Sequence, residues 1–229
     1  MAQPSMHVEI VDSLGARIAT GELTPGTVIN LGMIEEEFGV SRTVAREAMR
    51  LLESLGLLEA RRRVGLIVAT PDRWDVLSPR LIAWRLSGDG KDEQLRTLTD
   101  LRIAIEPVAA RRAALRADSS QRDRLVELAE TLRRIGEEDR GDSDDYLTSD
   151  IEFHATVLAA SGNEILNALK DVVAAVLEGR QRAGRAMKRP LPQALDLHEK
   201  IAAAVMQGDE DQAEDACRSL VNLVRREID

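Results

Sequence analysis

A single cysteine, Cys217, in 229 residues leaves no partner for an intramolecular disulfide and fits a reducing compartment. Aromatic residues make up only 2% of the chain, while Ala, Leu, Arg and Glu abound, which favours helix over sheet through most of the length. No apolar run approaches the roughly 20 residues of a membrane span. The opening "MAQPSMHVEIVDS" has neither the basic start nor the apolar core of a secretory leader. A cytoplasmic protein with no membrane partner is therefore expected. Basic charge is in the minority, 31 Lys and Arg against 40 Asp and Glu for a net charge of −9. That excludes indiscriminate nucleic-acid binding, which needs a basic field over the whole molecule. What remains is a chain 44% hydrophobic and long enough for two ordinary domains.

The scarce basic charge is not evenly spread. "GVSRTVAREAMRLLESLGLL" at 39–58 and the following "EARRRVGLIV" hold Arg42, Arg46, Arg50, Arg61, Arg62 and Arg63 against Glu47, Glu53 and Glu59. Residues 1–41 hold only Arg17 against six acids. On a helical wheel of about 100° per residue, Val44, Ala48, Leu51, Leu52 and Leu55 share one side, and Arg42, Thr43, Arg46 and Arg50 the other. Ser41 is placed to cap the helix. A small basic island on an acidic body suits a selective reader of double-stranded DNA; the alternative is a solvated face held by Glu–Arg pairs such as Arg42 with Glu47.

The flanking segments give the island a context. Val8, Ile10, Val11, Leu14 and Ile18 keep near-helical spacing, and "TGELTPGTVI" ends that helix in a turn. "NLGMIEEEFG" reads as a short helix from Asn30 to Gly39, with the arginine helix following almost at once: a helix-turn-helix. "LLEARRRVGLIVA" gives two strand-like runs and a β-hairpin whose Gly65 can take positive φ. The order spells a winged helix over residues 1–70. Pro71 and Pro79 in "TPDRWDVLSP" mark a linker at 71–79. Over 80–229 apolar residues keep a period near 3.6, with breaks at 88–90, 117–120, 141, 162, 189–192 and 207–210. Six or seven helices and no strands are implied, in one all-α bundle. The fold class is mostly α.

"GELTPGTVI" followed by "GVSRTVAREAMRLLESLGLLEARRRVGLIV" resembles the N-terminal domain of the GntR family of bacterial regulators over nearly all of residues 10–69. The resemblance implies that Ser41, Arg42, Thr43 and Arg46 touch operator phosphates and bases, with Gly65 at the wing tip near the minor groove. Arg50, on the same stripe, and Arg61, Arg62 and Arg63, in the wing, join the DNA-binding set. Arg forks onto guanine O6 and N7 in the major groove, while hydroxyls and other guanidiniums fix the register on phosphates. One departure stands out: "NLGM" puts Gly32 where many relatives carry an Arg, so a different half-site sequence is expected.

A second constellation lies in "DDYLTSDIEFHATVLAASGNEIL". Asp150 and His154 are four residues apart on one helix face, with Leu147, Val157 and Leu158 beside them, and His198 falls among Leu191, Leu195, Ala202 and Val205. Two of the three histidines thus sit in apolar stripes, where they must satisfy one another, a metal or a ligand. An Asp–His hydrogen-bonded pair in a helical core is one reading. Residues 96–225 resemble the FCD domain, the all-α effector domain of the FadR-type branch, through "LRIAIEPVAARRAA", "DIEFHATVLAASGNEIL" and "HEKIAAAVMQGDEDQAEDA". The resemblance implies a divalent metal held by an Asp and three His. Asp150, His154 and His198 match three of those positions; the fourth falls at about Leu220. An O,N,N site can still hold Zn²⁺, or Ni²⁺ or Mn²⁺, with open positions for water or effector.

The same resemblance makes Arg102 and Glu106 inward candidates for effector binding, Arg102 onto a carboxylate or, alternatively, onto Glu106 as a surface salt bridge. Asn163 is a further effector candidate, as are Arg180 and Arg182, for which a solvated helix end is the alternative. "LSPRLIAWRLSGDG", with Trp84, further resembles the branch that senses aldonic sugar acids. The expectation is a homodimeric, ligand-responsive transcriptional repressor reading a palindromic operator, its effector a small carboxylate, and not an enzyme. The rival is a metal-dependent enzyme built on Asp150, His154 and His198, which no obvious general base or nucleophile accompanies.

Overall fold

The computed structural model describes residues 6–228; the leader reading of the first five residues and the expected outer domain limits, 1 and 229, lie outside them. Two compact units divide between Gly90 and Lys91. The first opens with helix α1 (Met6–Ala19), strand β1 (Val28–Ile29), helix α2 (Leu31–Phe38) and helix α3 (Arg42–Ser54). Strands β2 (Leu58–Arg61) and β3 (Gly65–Val68) and helix α4 (Pro79–Arg85) complete it. Local chemistry sets these limits. The Asn30 side chain accepts from the Met33 N–H at 3.0 Å to start α2, and Gly39 ends it with φ 64°. Ser41 caps α3 through the Val44 N–H, as its position in the sequence suggests.

The buried side of α3 differs in detail from the wheel. Ala45, Ala48, Met49 and Leu52 are buried, while Val44, Leu51 and Leu55 are half-buried. The contact stripe is rotated toward Ala45 because α1 packs on it from that side, through a core that joins Ile10, Val11, Leu14 and Ile18 to Ile34 and Leu52. The wing is a three-stranded antiparallel sheet in the order β1-β3-β2, with Arg61 opposite Gly65. Its turn places Arg63 at φ 67° and Gly65 at φ 111°. The two-residue β1, within the segment read as a turn, is too short to show alternation; its pairing, Val28 with Ile67 and Ile29 with Leu66, defines it.

Residues 71–90 belong with this first unit. A turn of 3₁₀ helix at Pro71–Arg73 closes against Gly56, where a Cβ would lie 2.1 Å from the Arg73 carbonyl oxygen. The Asp75 N–H donates to the Leu55 carbonyl at 3.0 Å. Helix α4 lays Trp84 over Gly15 so closely that a Cβ there would stand 2.4 Å from the indole, whose N–H faces Asp12 Oδ1 at 3.3 Å. The sequence divides linker from bundle at residue 79; buried Leu81, Ile82 and Trp84 on α4 carry the compact unit on to Gly90.

The second unit is all-helical: α5 (Lys91–Arg116), α6 (Ser119–Glu137), α7 (Asp144–Ala160), α8 (Glu164–Ala168), α9 (Lys170–Arg182), α10 (Pro192–Gln207) and α11 (Glu210–Ile228). Its breaks fall at the expected places with two exceptions: at Leu169 α8 gives way to α9 without Gly or Pro, and α9 ends at Arg182, well before the break expected at 189–192. Asp118 and Gln121 form a reciprocal capping box at α6, and Gly208 ends α10 with φ 76°. The core runs from Ala109 and Ala113 on α5 through Leu125 and Leu132, Phe153 and Val157, and Ile201 to Leu220. No helix among the described residues is long and apolar enough to cross a membrane.

Candidate functional site

Helix α3 and the wing flank a groove lined by Asn30, Gly32, Arg42, Arg46, Arg50, Arg61 and Gly65. Here the arginine stripe faces outward: the side chains of Arg42 and Arg50 are 67% and 65% exposed. Arg50 meets Glu47 at 2.9 Å, Arg42 reaches Glu35 rather than Glu47 at 3.6 Å, and Arg61 meets Glu59 at 3.2 Å. Arg46, Arg62 and Arg63 form no ion pair among the described residues. Such exposed pairs contribute little to stability, so three guanidiniums are unpaired and three are held loosely. Thr43 is exposed beside them, and Ser41 is occupied by its cap.

The second unit encloses a pocket between α5, α7, α9, α10 and α11. At its base Asp150, His154 and His198 each offer a ligand atom, all within 4.8 Å of one another. Both imidazoles are oriented from behind. The His154 Nδ1 faces Glu106 Oε2 at 2.7 Å, and the His198 Nδ1 donates to the Ala194 carbonyl at 2.8 Å. Their Nε2 atoms converge on Asp150 Oδ1 at 3.5 and 3.2 Å. Phe153 sets its ring edge-on against both imidazoles. This is the outer-shell arrangement that fixes a ligating histidine.

Arg102 and Glu106 complete the base. Both are buried, with Arg102 Nε 2.5 Å from Glu106 Oε1 and Arg102 Nη2 3.2 Å from His154 Nε2. Burial opposes ionisation of Glu106, but Arg102 and His154 outweigh it and hold the carboxyl down at about 2. Burial likewise disfavours a charged His154, yet Glu106 outweighs this and Arg102's repulsion, lifting it to about 9. A proton on His154 Nε2 faces Asp150; without it the same nitrogen accepts from Arg102. Burial acts to raise Asp150 too, and hydrogen bonds to His154 and His198 keep it well below the usual carboxylate range. Burial pushes the Cys217 thiol up, so it packs as a neutral group.

Residues 7–68 match the gntR family of bacterial regulatory proteins, and residues 97–223 match the FCD domain. The chain belongs to the GntR family, in its FCD-bearing branch. It is 28% identical to the galactonate operon transcriptional repressor of Escherichia coli over 96% of this chain and 95% of that one. To the Escherichia coli regulator YieP it is 29% identical over 96% and 94%. Its fold is similar to that of Lar of Listeria monocytogenes, with a TM-score of 0.62 at 14% identity over 100% and 98% of the two chains. This GntR protein is thus a ligand-responsive, DNA-binding transcriptional regulator. The rival reading of an enzyme finds no support, since the family is one of regulators.

The sequence-derived effector candidates separate in this GntR fold. Arg102 and Arg180 line the pocket, with Glu106 behind Arg102. Asn163 instead caps α8 through the Ile165 and Leu166 N–H groups, and Arg182 is exposed and pairs with Glu178 at 2.7 Å; neither lines the pocket. Leu220, at the expected fourth-ligand position, does line it. Tyr146, Gln181 and Arg185 were not singled out in the sequence but also line it. Tyr146 stands one turn before Asp150, so extending the Asp–His face by four residues finds it. Arg185 lies beyond α9, and no periodicity points to it.

Proposed function

We propose that this GntR regulator is a homodimeric, cytoplasmic repressor of an operon for a sugar acid or related small carboxylate, and that its effector binds beside a divalent metal, zinc in first place. Ser41, Arg42, Thr43, Arg46 and Arg50 would read each half of a palindromic operator, with Arg61, Arg62, Arg63 and Gly65 on the flanking backbone and minor groove. The galactonate repressor among the relatives supports the effector class.

The observation that carries the metal reading is the orientation of the imidazoles: each Nδ1 is turned to a protein acceptor, leaving both Nε2 atoms aimed at Asp150. That O,N,N donor set fits Zn²⁺. Asp150, His154 and His198 would hold the ion, which supplies a cationic anchor for oxygen ligands, while Leu220 supplies none. Arg102 adds donors for a carboxylate. The pocket's volume of about 90 Å³ equals roughly six to nine waters at 10–15 Å³ each. It takes the head of an acid, a carboxylate with its α-hydroxyl, more readily than a whole six-carbon chain.

Calorimetry tests the reading: sugar acids and short hydroxy acids are titrated into native protein, chelator-treated protein and His198→Ala. An acid should bind the native protein and lose most of its affinity in the other two, and neutral sugars should bind poorly to all three. Equal binding of an acid to all three would assign recognition to protein groups alone.

A further inference from the structure

We infer that Arg102 couples effector to metal by competing with the metal for one lone pair, that of His154 Nε2. The inference rests on reading Asp150, His154 and His198 as metal donors and adds the device that makes their affinity depend on an acid. Arg102 and Glu106 are one turn apart on α5, and both are buried. Glu106 Oε2 lies 2.7 Å from His154 Nδ1, so in the neutral imidazole, the form a metal ion needs, the proton sits on Nδ1 and Nε2 is an acceptor. Arg102 Nη2 stands 3.2 Å from that acceptor. A guanidinium hydrogen and a metal ion cannot share one imidazole lone pair, so the residue that helps orient His154 also blocks its ligating atom.

A second observation says what would draw the guanidinium away. Arg102 Nη1 is buried, has no hydrogen-bond partner among the described residues, and belongs to a side chain that lines the pocket. A buried charged N–H without an acceptor is costly, and an anion in the pocket satisfies it. A carboxylate accepting from both terminal nitrogens in the forked geometry that arginine favours takes Nη2 off His154. The freed Nε2 then faces Asp150 and His198. Acid and metal therefore assist each other even where they do not touch, and by linkage each raises the other's affinity by the same factor.

The test measures Zn²⁺ affinity by competition with a chromophoric chelator, with and without glycolate, correcting for zinc–glycolate association in solution. The informative variant is the double substitution Arg102→Met with Glu106→Gln. It removes a pair with no net charge, so the local field is little changed, and the amide oxygen that replaces the Glu106 carboxylate can still accept from His154 Nδ1. We expect the double variant to bind Zn²⁺ about tenfold or more tightly than wild type without glycolate, the worth of one charged hydrogen bond. Glycolate should raise wild-type affinity by a clearly larger factor than it raises that of the double variant, in which only direct contact between acid and metal remains. Arg102→Lys keeps a charge beside Glu106, guarding against misfolding, and its single ammonium should give an intermediate affinity. If Zn²⁺ binds wild type and both variants equally, with the same glycolate dependence, the competition is refuted while the metal reading stands. If wild type binds Zn²⁺ no better than His198→Ala under either condition, the metal reading fails and takes the inference with it.

Discussion

Arg46 separates base reading from surface decoration most cleanly. It lies mid-way along the exposed stripe of α3, lines the groove toward the wing and forms no ion pair among the described residues, so Arg46→Ala should leave the fold intact. A bidentate arginine–base contact is worth about 1–3 kcal/mol of discrimination. A dimer on a palindrome places Arg46 twice, so the loss on the full operator should be about 2–6 kcal/mol, roughly 30-fold to 10⁴-fold. Arg50→Ala is the internal contrast. Its guanidinium is already on Glu47 at 2.9 Å, and it should lose less. Fluorescence anisotropy with labelled operator and with random duplex, at one fixed salt concentration, reads both, and a melting curve checks the fold. Unchanged operator affinity for Arg46→Ala refutes the assignment of α3 as the recognition helix. An equal loss on random DNA moves Arg46 from bases to phosphates.

Three further variants probe the frame. Neutralising Arg61, Arg62 and Arg63 together should weaken operator and random DNA alike and flatten the dependence on salt; a loss confined to the operator would make the wing a base reader. Arg122 donates to the Ala117, Val205, Met206 and Ala114 carbonyls at the C-terminal ends of α5 and α10, so Arg122→Met should cost about 2–4 kcal/mol in urea unfolding. A loss below about 1 kcal/mol would mean that water replaces the clamp. Gly15→Ala gains up to about 1 kcal/mol of helix propensity but drives a methyl into Trp84, which costs about 1–3 kcal/mol. Net stabilisation would show that α4 is not tightly seated on α1.

The winged helix could be read from the sequence because its signals are local. Asn30, Gly39 and Ser41 write the ends of two helices into side chains, and the arginine and leucine positions separate by angle alone. The two-residue β1 could not be read, since its partner β3 is some forty residues away. Residues 71–90 failed for a related reason: prolines mark a change of direction, but whether a segment then packs depends on a void such as the one over Gly15. In the pocket, Asp150 and His154 were legible as a one-turn pair and His198 as a polar residue in an apolar stripe. The contact from Arg102 to His154 was not, because it joins two helices whose relative rotation no single-helix pattern fixes. Arg182 shows the converse: the basic run offered it with Arg180 for the pocket or for a solvated helix end, and a turn of about 200° between the two puts Arg182 in solvent on Glu178.

A ligand-responsive regulator requires that the pocket speak to the DNA. The direct measurement is operator anisotropy on the chain's own upstream DNA while a binding acid is titrated, run in parallel on native protein, on chelator-treated protein and on His198→Ala. The account predicts that the acid weakens operator binding by the native protein, since an effector shifts an equilibrium only by its differential affinity for the two arrangements, and that this response is lost in the other two. An operator affinity that no acid changes, or that an acid changes equally in all three, would contradict it.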